Sequence, residues 1–363
     1  MMHCAVIVGL LLTFGAPIMA QSAPSGGNGT IYYGTYDKKI FVIDEATMAV
    51  RDSMPVAIGV PIGVWLSQDR RRLYATDPSF EHIEIFDVTT RKSIDRFTLS
   101  NDTMHVRMSG FSVDPLDRFA VALVRTSTKK RDHFVIGKPT LVKYDLARKV
   151  VTDTIKWPQG EEREAAQILF SPDGRLMYFF TSDDVLIYDT QTLKEVDRWD
   201  IGRALDEGMG RWDFGFSESL YEEPGFFTGL FRTTDPVNHR DLMGVARVDL
   251  VRKSVDYYSL GPNERVGFSL APGRQLAYGL RQQVGNYQFW TFDLVGHRVT
   301  QRVEFEGRPR MGLTVSTNGS LLYVHTAGAT IDIYDAATLR LVRTAQFSAD
   351  QTDLVIVPAS PGR

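Results

Sequence analysis

The sequence has almost no cysteine. Its single cysteine, Cys4, lies in an apolar leader, and cleavage of that leader would leave a mature chain with none. A cysteine-free chain cannot form a disulfide, a thiolate metal site or a covalent haem attachment, and it has no nucleophilic thiol. Thiol-dependent chemistry is therefore excluded for the mature chain.

Other signals are also missing. With 41 Lys and Arg against 44 Asp and Glu, the net charge of −3 gives no basic surface for nucleic acid, so no nucleic-acid partner is expected. The chain contains no G-x-S-x-G elbow, H-E-x-x-H pair, phosphate-binding glycine loop or dinucleotide-binding fingerprint. Its seven histidines are scattered, which argues against a metal triad. We therefore predict no catalytic and no metal-ligating residue.

The first twenty residues, MMHCAVIVGLLLTFGAPIMA, are typical of a secretory signal peptide. They combine an apolar run from Ala5 to Phe14 with a small residue, Ala20, at the expected cleavage site, although no Lys or Arg precedes the run. A single membrane anchor is the alternative, but the run is short and a glycine and a proline follow it. We expect 1–20 to be removed, 21–29 to be flexible, and the mature chain to be periplasmic or secreted without a membrane span.

One pattern recurs through the rest of the chain: a β-rich run ending in aspartate, a short polar turn, and a second run. The segment LIYDTQTLKEV around Asp189 is a clear copy. Aspartate recurs in such turns because its carboxylate can accept backbone N–H bonds across the turn, which favours a structural role over a catalytic one. A repeat of about 42 to 60 residues is typical of propellers and solenoids. The seven copies are centred on Asp44, Asp87, Asp145, Asp189, Asp249, Asp293 and Asp335.

Each copy has the pattern strand, turn, strand, and several copies follow a second pair of strands joined by a tight turn such as SPDG or STNG. One unit therefore supplies four antiparallel strands, A to D from the centre outward. Seven units predict an all-β, seven-bladed β-propeller over 30–358, with a tail at 359–363. The first copy lacks an A strand, and a lone strand from Thr352 to Pro358 is predicted to complete that blade and close the ring.

Loop lengths distinguish the two faces of the predicted ring. The A–B and C–D turns are mostly short, whereas the B–C hairpins of blades 3 and 5 are long (Arg125 to Pro139 and Phe231 to Leu242) and that of blade 4 is short. Binding residues concentrate on long loops of a rigid scaffold. We therefore predict a partner-binding notch over blade 4, walled by blades 3 and 5. Its predicted residues are Lys130, Arg131, His133, Phe134, Arg232, His239 and Arg240.

A second set of side chains is predicted near the mouth of the central channel on the same face, at the starts of the A strands. Arginines there suit an anion or an acidic partner surface. The structural alternative is a solvated rim in which these arginines pair with neighbouring acids. The predicted funnel residues are Arg107, Trp212, Asp213, Arg265 and Arg310.

Two features carry a resemblance to known proteins. The blade signature SPDGRLMYFF followed by VLIYDTQTLKEV resembles the YVTN-type propeller repeats of exported prokaryotic proteins. Within that class, RDHFVIGKPTLVKYDLARK, and DLMGVARVDLVRKSVDYYSL after the hairpin TTDPVNHR, resemble blades of the β-propeller subunit of quinohemoprotein amine dehydrogenase. The start at a B strand, the short blade 4 and the long hairpins of blades 3 and 5 agree with that layout.

The resemblance implies a non-catalytic periplasmic subunit of a complex that oxidises primary amines. The implied partners are a small quinone-bearing subunit and a dihaem cytochrome subunit, which carry the quinone cofactor and the haem, so no cofactor is expected in this chain. His133, Phe134 and the blade 5 hairpin would face the partner. Two other hypotheses stay open: a stand-alone YVTN-type extracytoplasmic binding protein, and a metal-dependent propeller hydrolase that uses Asp213 and Asp353 near the axis.

Overall fold

The computed structural model describes residues 25–67, 69–158, 161–181, 184–204, 206–214 and 219–359. Within these ranges the chain forms 29 β-strands and no α-helix, and the strands form seven antiparallel sheets. Each sheet is one blade of a ring, and the predicted seven-bladed β-propeller is confirmed. Among the residues described, no helix has the length and apolar character needed to cross a membrane. The predicted leader lies outside the described residues.

The chain builds the blades in order around the ring. Blade 1 contains β1 (Thr30–Thr35), β2 (Lys39–Asp44) and β3 (Ala49–Pro55), and blade 2 contains β4 (Gly63–Leu66), β5 (Arg72–Thr76), β6 (His82–Asp87) and β7 (Ser93–Thr98). Blade 3 contains β8 (Met104–Val113), β9 (Phe119–Lys129), β10 (Phe134–Ile136), β11 (Thr140–Asp145) and β12 (Val150–Ile155). Blade 4 contains β13 (Gln167–Phe170), β14 (Leu176–Phe180), β15 (Val185–Asp189) and β16 (Glu195–Trp199).

The remaining strands complete the ring. Blade 5 contains β17 (Asp213–Phe214), β18 (Phe226–Asp235), β19 (Arg240–Asp249) and β20 (Ser254–Pro262), and blade 6 contains β21 (Ser269–Leu270), β22 (Leu276–Gln283), β23 (Asn286–Asp293) and β24 (Arg298–Phe305). Blade 7 contains β25 (Gly312–Val315), β26 (Leu321–His325), β27 (Thr330–Asp335) and β28 (Leu341–Gln346). The last strand, β29 (Gln351–Val357), pairs with β1 as the A strand of blade 1, so the predicted closure is confirmed.

The core lies between neighbouring blades. Residues of the B and C strands are buried on both sides of the sheet, whereas most residues of the outer D strands are exposed. One cluster joins Ile31 and Tyr33 of blade 1 to Tyr323 and Ile333 of blade 7. The Tyr33 hydroxyl also donates across this boundary to the carbonyl of Gly328. Side chains from two adjacent sheets thus form each layer of core, as in other sheet-on-sheet packings.

The seven repeated aspartates each end a C strand. At Asp189 the carboxylate accepts the backbone N–H groups of Gln191 (3.1 Å) and Thr192 (2.7 Å), as the sequence predicted. Leu193 then takes a left-handed backbone conformation (φ 55°) and its N–H donates to the carbonyl of Asp189. This is a tight turn followed by a bulge, which reverses the chain between strands C and D. The fourth residue after the aspartate is left-handed in all seven turns: Met48, Arg91, Lys149, Leu193, Lys253, His297 and Leu339.

The boundary between blades 1 and 7 is held by a buried carboxylate. Residues 25–29, part of the segment predicted to be flexible, lie against the A–B turn of blade 7, where the Asn318 side chain donates to the carbonyl of Ser25 (2.7 Å). Glu45, only 1% exposed, binds both segments. Its carboxylate accepts the N–H of Gly29 (2.8 Å), the N–H of Thr317 (2.8 Å) and the hydroxyl of Tyr323 (3.2 Å).

Candidate functional site

The two faces of the ring are built from different loops. The A–B and C–D turns form one face, here called the turn face, and the B–C hairpins and D-to-A crossings form the other, the notch face. In blades 3, 4 and 5 the B strand begins opposite the turn aspartate. β9 and β18 have 11 and 10 residues, whereas β14 has 5. At about 3.3 Å per residue, the B–C hairpins of blades 3 and 5 rise roughly 15–20 Å above that of blade 4, and this difference in height forms the notch.

The floor of the notch is a buried ion-pair network. Asp184, at the blade 4 hairpin, is 7% exposed and lies 3.6 Å from Arg163 and 3.4 Å from Arg198. Thr181 donates its hydroxyl to the same carboxylate (2.7 Å). Among the described residues, the charge of Asp184 is therefore compensated by these two arginines, and 182–183 of this hairpin lie outside the described residues.

The blade 3 wall presents cations and apolar side chains together. Lys130 and Arg131 are exposed at the hairpin tip, where no carboxylate of the described residues lies within ion-pair distance of either. His133 pairs with its neighbour Asp132 (2.7 Å). Phe134 is 59% exposed. All four predicted residues of this wall thus share one hairpin tip.

The blade 5 wall is partly self-compensated. Arg240 pairs with Asp235 (2.9 Å) across the hairpin turn. Hydrogen bonds, the strongest from Arg240 and the next from Asn238, hold the pKa of Asp235 well below its ordinary value. His239 is exposed at the turn with a left-handed backbone. Arg232, further down β18, is exposed and has no ion-pair partner among the residues described.

The predicted funnel residues separate into two groups. Arg107, Arg265 and Arg310 are exposed, and within the described part of the chain none of them forms an ion pair, although Arg107 lies over the ring of Phe80 (4.9 Å). Among the described residues, these arginines therefore do not follow the alternative of pairing with neighbouring acids. Asp213 is exposed in register with Arg232 on the neighbouring strand.

The placement of Trp212 in the funnel is wrong. Its side chain is 3% exposed, stacked on Phe231 at 3.9 Å between ring centroids and packed edge-on against Tyr257. A large aromatic ring gains more from burial in this cluster than from a position at a solvated mouth. Trp212 therefore belongs to the core of blade 5.

A partly buried polar cluster near the axis was not predicted. The ring of His325 receives a hydrogen bond from Gln351 (2.7 Å) and lies 3.4 Å from the hydroxyl of Thr314. Burial lowers the pKa of His325 to about 4, so the imidazole is neutral at pH 7. Gly312 lies opposite His325 on the neighbouring strand, and a Cβ atom at this position would come within 2.4 Å of the ring. In the sequence, this glycine is the signal that could have indicated the cluster.

Asp353, the second carboxylate predicted near the axis, is engaged by the backbone. It accepts the N–H of Val64 (2.8 Å), and burial raises its pKa. Within the described residues no group of three or more His, Cys, Asp and Glu side chains is arranged to hold a metal ion.

The turn face of the channel is crossed by part of an unexpectedly long A–B connection. Residues 219–225 of blade 5, here called the cross-channel segment, reach other blades instead of turning back at once. Arg70 of blade 2 donates to the carbonyl of Leu220 (2.6 Å), and the hydroxyl of Tyr221 donates to the carbonyl of Val315 in blade 7 (2.9 Å). The sequence prediction treated the A–B turns as short, so this feature was missed.

Two arginines anchor the cross-channel segment. Glu223 receives hydrogen bonds from Arg247 (2.8 Å) and Arg274 (2.6 Å), and Arg247 also binds Glu222 (3.2 Å). The guanidinium of Arg247 stacks on Phe226 at 3.9 Å. Above this segment a cavity of about 850 Å³ runs along the axis, lined by Trp65, Phe111, Ile168, Phe214 and Leu220 among others.

Comparisons with known proteins agree with the fold. No protein-family model and no curated protein sequence matches the chain. Among solved structures, it is similar to the dihydro-heme d1 dehydrogenase NirN in complex with DHE (TM-score 0.53, 12% identity, 94% of this chain and 77% of that one). It is also similar to the periplasmic gluconolactonase PpgL of Pseudomonas aeruginosa (TM-score 0.54, 14% identity, 92% of this chain and 99% of that one). A third similar structure is a functionally unknown protein of Desulfotomaculum acetoxidans (TM-score 0.55, 13% identity, 92% of this chain and 100% of that one). At these identities the similarity shows the fold alone.

Proposed function

We propose that this chain is a non-catalytic propeller subunit that docks partner chains on its notch face. The observation that carries the proposal is the pair of tall hairpins beside the short blade 4, with exposed cations that have no acidic partner in the described chain: Lys130, Arg131 and Arg232. Such cations are available to an acidic surface, and raised loops on a rigid scaffold are where recognition concentrates.

The specific role proposed is in a periplasmic complex like quinohemoprotein amine dehydrogenase. Support comes from the resemblance of the blade 3 and blade 5 segments to that family's propeller subunit and from the absence of cysteine after residue 4. The small quinone-bearing subunit and the dihaem cytochrome subunit would hold the quinone and the haem. This chain would hold no cofactor, and it would leave the cell's interior by its leader.

Native purification from the source cells tests this proposal. The mass of the complex and its visible spectrum should show the propeller together with a haem-containing chain and a small quinone-bearing chain. The double variant Lys130→Glu/Arg131→Glu should lose the partners, whereas Arg175→Glu, a change on the turn face at a side chain 84% exposed, should keep them. A colourless protein that elutes alone at its own mass would refute the docking role.

A stand-alone binding protein is the second candidate. The axial cavity of about 850 Å³ favours it, because a concave site that combines apolar and aromatic side chains with polar groups is a common ligand pocket. In that case the purified single chain should retain a small molecule detectable by mass spectrometry after denaturation. An empty cavity in protein purified without partners would count against this candidate.

A further inference from the structure

The tip of blade 3 exposes an uncovered strand edge. β10 pairs with β9 through Phe134, Val135 and Ile136, and no strand of the described residues pairs with its other edge. The outer strand β12 ends at Ile155, opposite Leu141, and therefore does not reach β10. The tip of the blade thus ends in an open edge.

The other tall hairpins do not share this feature. In blade 5 the outer strand β20 extends to Pro262, opposite Leu242, and the N–H of Asn263 donates to the carbonyl of Asp241 (2.8 Å). In blade 6, β24 extends to Phe305, opposite Tyr287. Natural proteins usually cover, shorten or charge the edges of sheets, because an unpaired edge is a template for another strand.

The backbone groups that face outward at this edge can be identified. Gly137 donates its N–H to Thr126 of β9, and the carbonyl of His133 accepts a hydrogen bond from Lys130. Successive residues of a strand point their N–H and C=O groups to alternate sides. His133, Val135 and Gly137 therefore face β9, while the N–H and C=O groups of Phe134 and Ile136 face away from it.

The side chains at the edge are apolar and exposed. Phe134, Val135 and Ile136 are 59%, 45% and 59% exposed. Because side chains alternate across a strand, Phe134 and Ile136 lie on one face of the tip and Val135 on the other. An added strand would cover apolar surface on both faces while it pairs with the backbone.

The charge around the edge is positive. Lys129, Lys130 and Arg131 at the adjoining turn are exposed, and none of them has an ion-pair partner among the described residues. The neighbouring cations nearer the ring are already compensated, since Lys138 pairs with Glu162 (2.8 Å) and Arg125 with Glu164. The free charge at the tip therefore favours an acidic partner.

We propose that the outer edge of β10 binds an extended acidic segment of a partner polypeptide as an added β-strand. The outward N–H and C=O groups of Phe134 and Ile136 pair with its backbone, and the cations of the turn bind its carboxylates. This is recognition by strand addition, in which the main chain supplies affinity and alternate side chains supply specificity. The inference rests on the docking function proposed above and names the partner segment.

The test uses the full mature chain and fluorescein-labelled peptides. The probe is the hexapeptide Glu-Val-Glu-Val-Glu-Val, compared with Lys-Val-Lys-Val-Lys-Val and with the acidic peptide methylated at every backbone nitrogen. The acidic peptide should bind in a fluorescence-polarisation titration at low salt, and both comparison peptides should bind at least tenfold more weakly. Hydrogen exchange at the amides of Phe134 and Ile136 should slow at least tenfold when the acidic peptide is bound.

Two variants separate the backbone from the side chain. Ile136→Pro removes an outward N–H together with the isoleucine side chain, a change that edge strands tolerate, and should weaken binding of the acidic peptide at least tenfold. Ile136→Thr keeps the N–H and should weaken it less than threefold. Circular dichroism and thermal unfolding check that both variants fold.

Three results would overturn the proposal: equal binding of the acidic and methylated peptides, equal affinity of the two Ile136 variants, or a dimer of the chain itself that Ile136→Pro dissolves. These results leave the docking function intact if the native complex still forms and still depends on Lys130 and Arg131. If purification from the source cells yields the chain without partners, but the purified chain still binds the acidic peptide, the docking function alone would be refuted.

Discussion

The turn face and the notch face of this propeller use charge in opposite ways. On the turn face all seven blades repeat one device, in which the aspartate that ends strand C binds the N–H groups of its own turn. On the notch face the B strands vary from 5 to 11 residues and several arginines and lysines have no acidic partner in the described chain. The comparison indicates that the uniform face stabilises the ring and that the irregular face is available for binding.

This difference predicts a separation of effects. Changes to the turn aspartates and to Glu45 on the turn face should lower the free energy of unfolding and leave partner binding unchanged in the folded protein. Changes to the exposed cations of the notch face should weaken partner binding and leave the free energy of unfolding nearly unchanged.

The largest effect is expected at Glu45. Glu45→Ala removes a buried carboxylate and leaves the N–H groups of Gly29 and Thr317 and the hydroxyl of Tyr323 without their acceptor. We expect a loss of roughly 3–5 kcal/mol in the free energy of unfolding, measured by urea denaturation. Glu45→Gln keeps an acceptor and should cost less. Equal losses for both variants would contradict a hydrogen-bonding role.

A smaller loss is expected at a single turn. Asp189→Ala removes the acceptor for two backbone N–H groups and the hydroxyl of Thr192. The expected cost is about 1 kcal/mol in the free energy of unfolding, by urea denaturation. Asp153→Ala, at an exposed aspartate within β12, is the matched control and should change stability by less than about 0.5 kcal/mol. An equal loss in the free energy of unfolding for Asp153→Ala and Asp189→Ala would contradict a special stabilising role of the turn aspartate.

The turn aspartates also predict a pH dependence. Hydrogen bonds from Thr47, Thr90 and Thr192 lower the pKa values of Asp44, Asp87 and Asp189 below the ordinary 3.8. The unfolded chain therefore binds protons first as pH falls, so this stability is present above pH 3.8 and is lost as pH decreases through the folded-state pKa values.

Thermal unfolding at a series of pH values would detect this loss. The triple variant Asp44→Asn/Asp87→Asn/Asp189→Asn should be less stable at pH 7 and should lose less stability on acidification. A variant whose acid transition matches that of the wild-type chain would show that other carboxylates dominate.

The smallest effect on stability is expected for Arg232→Glu on the notch face. Arg232 is exposed without an ion-pair partner in the described chain, so the free energy of unfolding should change by less than about 0.5 kcal/mol. Complexes isolated from the source cells should nevertheless contain less partner protein. Arg252→Glu, at a turn-face side chain 83% exposed, is the control and should leave the complex intact.

The fold was predictable from sequence because its defining residues act locally. Asp189 and its six counterparts bind groups two or three residues away, so the same local requirement selects aspartate at the same position in every blade. The β-rich runs on either side of each polar turn then predicted the strands, and the missing first A strand predicted β29. The left-handed residue after each turn left no signal, because Lys149 and Leu193 stand where glycine would be expected.

The site was less predictable because its features depend on distant contacts. The path of the cross-channel segment is decided by Arg70 and Val315, which lie in other blades. Trp212 was predicted near the channel mouth because it lies at the start of an A strand, but Phe231 and Tyr257 provide a buried place for its ring. The open edge of β10 depends on where β12 stops, which loop length does not reveal.

The pairing of β29 with β1 also has a consequence for how the protein folds. The hydroxyl of Tyr33 binds the carbonyl of Ala349, 316 residues away along the chain. Contacts this distant form late, because the entropy of closing so long a loop must be overcome first. Until β29 arrives, the edge of β1 is open to strands of other molecules. We therefore expect ring closure to limit the folding rate and to end the period in which newly made chains are most prone to aggregate.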